Sequence, residues 1–80
     1  MTKLVVENTS GIDAKMAQHI VQKASEYEAD MLLKYEGKEV DLKSILGIMS
    51  LAVLEGAKIE IEARGNDAKE AIDALKEIIG

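Results

Sequence analysis

The sequence predicts an α+β domain in which three helices pack on one face of a four-stranded, mainly antiparallel sheet, in the order β-α-β-β-α-β-α. Three observations predict it. Ile59, Ile61 and Ala63 alternate with Lys58, Glu60 and Glu62, the period of a strand with one buried face. Ala17, Ile20, Val21 and Ala24, and later Ala68, Ala71, Ile72, Leu75, Ile78 and Ile79, recur at the spacing of one helical face. Glu36-Gly37 separates two short strand-like runs, and Gly37 can take the positive φ of a tight hairpin turn.

In chain order, Lys3 to Asn8 is valine-rich and loosely alternating, a strand that Thr9-Ser10-Gly11 breaks. An amphipathic helix follows from about Ala14 to Glu28. Asp30 to Tyr35 and Lys38 to Leu42 form the hairpin strands. Ser44 then opens a mostly apolar helical stretch that ends near Glu55-Gly56, with Ser44 as N-cap and Gly56 just past the C-terminus. Lys58 to Ala63 is the last strand, and Asp67 with Glu70 three residues later starts the final helix as a capping box. The whole chain, residues 1–80, reads as a single domain with no linker or repeat, one sheet face being left to water.

Composition narrows the function. Eighty residues permit one shallow core, built from aliphatic side chains because Tyr27 and Tyr35 are the only aromatics. With no cysteine there is neither a disulfide framework nor a thiolate metal site, so a cytoplasmic protein is expected. The longest uncharged apolar run, Ser44 to Leu54, is about half of what spans a bilayer, which speaks against membrane insertion. A net charge of −5 disfavours direct binding of nucleic acid.

Three places have the residue types that chemistry needs. At Gly11-Ile12-Asp13-Ala14-Lys15-Met16-Ala17 a strand ends in glycine and turns into a helix, whose free N–H groups favour an anion. The plainer reading of Asp13 is an N-cap bonded to the N–H of Met16 or Ala17. Ser44, beside Lys43 at a helix start, is either a cap or a hydroxyl that takes a phosphate there. The run Ile45, Leu46, Ile48, Met49, Leu51, Ala52, Val53 and Leu54 holds more apolar surface than a short helix buries, so part of it is expected to be exposed for a partner. His19 lies beyond the first helical turn with no second histidine, which marks a surface or boundary residue. No Ser/His/Asp triad, Gly-rich phosphate loop, metal site or cofactor motif can be assembled.

Two motifs resemble HPr, the small histidine-containing phosphocarrier family of the bacterial sugar phosphotransferase system. Gly11-Ile12-Asp13-Ala14-Lys15-Met16-Ala17 is similar to its G-[IL]-H-A-R-P-A segment, and Gly37-Lys38-Glu39-Val40-Asp41-Leu42-Lys43-Ser44-Ile45-Leu46-Gly47-Ile48-Met49-Ser50-Leu51 to its regulatory-serine helix. The resemblance covers essentially the whole chain and implies the family's open-faced sandwich. It also implies that Asp13 stands where the family's histidine accepts phosphate from enzyme I, with Lys15 at the arginine position and Met16 at the proline. A carboxylate lacks the nucleophilic nitrogen and places a negative charge where phosphate docks, so normal phosphorelay is expected to fail and the chain is read as no enzyme.

The resemblance implies, further, that Ser44 is the regulatory phosphorylation site of an HPr kinase/phosphorylase, acting with ATP. Lys15, Met16, Lys43, Ile45, Leu46 and Met49 then form the partner-binding surface for a catabolite control repressor, enzyme I and sugar permease components. This is the logic of Crh, the paralogue that keeps the serine and has glutamine for the histidine. A working phosphocarrier using His19 or Asp13, and an engineered or vestigial HPr scaffold without activity, are the other readings.

Overall fold

Strand alternation turns one side of each strand inward, and in the computed structural model, which describes residues 1–7 and 9–79, four such strands form one sheet. The elements are β1 (Thr2–Val6), α1 (Ala14–Ala24), β2 (Asp30–Tyr35), β3 (Lys38–Asp41), α2 (Ile45–Ser50), β4 (Ile59–Arg64) and α3 (Ala68–Ile79). The sheet order is β1-β4-β2-β3, every neighbouring pair antiparallel. The expected element order and fold class are therefore observed, β4 beginning one residue later than its alternation suggested and β1 one residue earlier. β1 ends at Val6, short of the expected Asn8, which itself lies outside the described residues, and β3 ends at Asp41, one residue before the expected Leu42.

Register decides which side chains share a face. Leu4 and Leu33 both pair with Ile61, and Met31 pairs with Ala63, which aligns one apolar layer across three strands. Against it pack Ala17, Ile20 and Ala24 of α1, Ile48 of α2, and Ala71, Ile72, Leu75 and Ile79 of α3, all buried. Each large aliphatic side chain removed from water there contributes about 1.5–3 kcal/mol. On the opposite face Lys34 pairs with Glu39 and Glu60, and Lys3 and Leu32 with Glu62.

That face is not simply open to water. Lys34 Nζ lies 3.7 Å from Glu39, 3.9 Å from Glu60 and in direct contact with Glu62, whose side chain is only 4% exposed. Their mutual hydrogen bond is the main reason that the Glu62 carboxyl is held below its ordinary value and the Lys34 ammonium above its own, burial opposing both shifts.

Three expected helix features are corrected. The first helix stops at Ala24 and not at Glu28, because Glu26 and Tyr27 switch to bonds three residues back, onto Lys23 and Ala24, at 3.1 Å. The middle helix stops at Ser50 and does not reach Glu55-Gly56: Ala52 turns into the left-handed region at φ 52°, and the chain beyond it pairs elsewhere. Gly56 donates instead to Thr9 O at 2.6 Å, and Ile12 donates to Val53 O at 3.1 Å. Finally, the Asp67 carboxylate makes no capping box. It accepts from the N–H groups of Glu28 and Ala29, both at 2.9 Å, fastening the turn after α1 to the start of α3.

Candidate functional site

The loop into α1 is shaped by what it lies against. Gly11 has φ 90°, and a Cβ there would come within 3.0 Å of Glu55 N, so a side chain is excluded twice over. Buried Thr9 accepts from Gly11 N through Oγ1 at 3.2 Å, and the pairing of residues 9–12 with 53–57 fixes the loop. Asp13 follows in extended backbone as the N-cap, its Oδ1 accepting from Met16 N at 2.8 Å. The capping role read from sequence is thus what its carboxylate performs.

Around this loop Ser10, Gly11, Asp13, Met16, Leu54 and Glu55 border an open hollow of about 350 Å³. A smaller one, about 190 Å³, is bordered by Asp13, Lys15, Met16 and His19. Helical spacing stacks His19 one turn above Lys15 and Met16, so the histidine that sequence reasoning set aside shares a surface with the loop. Lys15 and His19 are exposed and Met16 is half-buried.

Ser44 precedes α2 in extended backbone, and its Oγ accepts from Gly47 N at 3.0 Å. Gly47 keeps the cap close: a Cβ there would lie 3.2 Å from Ser44 Oγ and 3.3 Å from Val40 Cβ. Ile48, Leu51 and Val53 enter the core, whereas Ile45, Leu46, Met49 and Leu54 are exposed, Leu46 by 85% and Leu54 by 71%. The apolar surplus expected at this helix is therefore on the surface, and α1 and α2 pack together beside it. Lys43 is half-buried, and its Nζ donates to Tyr27 O at 2.8 Å. The Lys43 and Asp67 ties were not foreseen, since each joins residues distant in sequence.

Among the described residues no cluster of three or more His, Cys, Asp or Glu is arranged to hold a metal ion, and no helix is long and apolar enough to cross a membrane. What the geometry offers is two capped helix starts and an exposed apolar strip on an open-faced sandwich.

Comparison with known proteins gives that fold its family. The family described as the PTS HPr component phosphorylation site matches residues 1–80, and the chain belongs to this HPr family, whose phosphocarriers are not catalytic enzymes. Similar solved structures include HPr-C-His from Thermoanaerobacter tengcongensis, at 38% identity and TM-score 0.92 over 99% of this chain and 91% of that one. The phosphocarrier protein HPr from Bacillus anthracis str. Ames is similar at 38% identity and TM-score 0.92, over 99% and 96% of the two chains. Crh from Bacillus subtilis, described as a catabolite repression protein forming a swapped, intertwined dimer, aligns at 37% identity and TM-score 0.79 over 98% and 90%.

Proposed function

We propose that this chain is an HPr-like regulatory and docking protein of the phosphotransferase system, degenerate at the phosphoryl-accepting position and phosphorylated on Ser44 in carbon catabolite control. The observation that carries this reading is the pairing of a capping serine, Ser44, with fully presented Leu46 two residues on. A kinase can reach such a hydroxyl at the surface without unfolding the core. Attack of Ser44 Oγ on the γ-phosphorus of ATP forms the ester and releases ADP, the hydroxyl proton passing to a base of the HPr kinase/phosphorylase.

The added charge then sits beside Ile45, Leu46 and Met49, so that a cytoplasmic catabolite control repressor would read phosphate and apolar strip together. Lys15 and Met16 extend the surface toward the first loop for enzyme I and sugar permease components. Support for loss of phosphorelay comes from Asp13: its carboxylate is already bonded to Met16 N and occupies the start of α1 with negative charge.

Incubation with HPr kinase/phosphorylase and ATP, followed by intact mass and site mapping, is expected to show one phosphoryl group on Ser44. Absence of phosphate, or its location elsewhere, would refute the regulatory reading. One observation favours a second reading, a carrier that uses His19: this residue borders the same hollow as Asp13 and Lys15. Phosphoenolpyruvate and enzyme I would then leave an acid-labile adduct on His19, whereas the regulatory reading expects none.

A further inference from the structure

Three successive residues, Tyr27, Glu28 and Ala29, have backbone groups held by charged side chains from far along the chain. Asp67 accepts from the second and third at 2.9 Å, and Lys43 Nζ donates to the carbonyl of the first at 2.8 Å. At its other end Lys43 is fixed too: its N–H donates to Asp41 Oδ1 at 2.9 Å, and that of Ser44 to Asp41 O at 3.0 Å. The half-buried Lys43 spends one of the three donors of its ammonium on that carbonyl, and swinging the side chain away would give up a charge-assisted bond.

We infer that Lys43 is a positioning residue for Ser44, its ammonium clipping the start of α2 to the turn between α1 and β2. The inference deepens the reading of Ser44 as the modified group and rests on it. Its physical basis is the shortness of α2. Six residues do not hold a helix by themselves, so the place of its first turn depends on ties to the rest of the fold. The clip acts one residue before the cap, where Ser44 Oγ receives Gly47 N–H.

The test compares Lys43→Met and Lys43→Arg in the full chain by amide hydrogen exchange. Lys43→Met is expected to speed exchange at Gly47 roughly tenfold, the factor that follows from losing one charge-assisted bond, with the β2–β4 ladder unchanged. Lys43→Arg is expected to restore protection, because a guanidinium reaches the same carbonyl. In phosphorylation by the kinase, kcat of Lys43→Met should fall with KM close to wild type. Unchanged exchange at Gly47 overturns the inference, and so does a raised KM at unchanged exchange, which would make Lys43 a kinase contact. If wild type takes no phosphate, the reading of Ser44 falls, and the exchange arm alone decides whether the clip exists.

Discussion

Ser44 has a structural and a chemical role that substitution separates. Ser44→Ala is expected to lose the modification and about 1 kcal/mol of stability with the cap, whereas Ser44→Asp keeps a good cap without a hydroxyl. Urea denaturation of the pair checks this, and equal stability of the two variants would contradict the capping role of the Oγ. Ala52 offers the opposite case. Its φ of 52° is costly for a residue with a Cβ, so Ala52→Gly is expected to stabilise the fold by about 1 kcal/mol in the same assay. Both caps, Asp13 and Ser44, were legible in the sequence, because capping is a local matter of one side chain and the N–H three residues on. Lys43 was not, since its partner, Tyr27 O, lies 16 residues away and only the tertiary fold brings it near.

At the scale of elements, the strands were read well because alternation reports burial directly, while helix ends were read poorly. The apolar run after Ser44 is continuous in sequence, but it changes its task at Ala52, from helix to a segment that pairs with residues 9–12. Nothing in hydrophobicity marks that change, as Val53 is buried in either role. The spacing of Asp67 and Glu70 likewise imitates a capping box, yet the Asp67 carboxylate serves two N–H groups of another turn. Asp67→Ala is therefore expected to cost about 2–3 kcal/mol, through two lost bonds and a stranded buried N–H at Ala29, and Glu70→Ala within about 0.5 kcal/mol. Thermal or urea unfolding distinguishes this from a capping box, in which both changes would cost comparable amounts.

For the molecule as a whole, the charged sheet face links stability to pH. Glu62 binds its proton less readily folded than unfolded, so its contribution is complete above the ordinary glutamate range and fades as pH falls through the lowered folded value. Lys34 keeps its proton more tightly when folded, so its share is complete below the ordinary lysine value and fades as pH rises through the raised folded value. The stability difference between wild type and Glu62→Gln should therefore be greatest at neutral pH and shrink toward both extremes. A difference independent of pH, measured by urea midpoints, would show that the pair does not act through charge.

The sheet order has a consequence in time. β1 is made first, yet its one neighbour in the sheet is β4, paired from Thr2 with Ala63 to Val6 with Ile59. During synthesis the β2–β3 hairpin can close early around Glu36-Gly37, while β1 has no partner until more than two-thirds of the chain has emerged. Residue substitutions at Leu4 should then alter the unfolding rate far more than the folding rate, with φ-values near zero beside higher ones in β2 and β4.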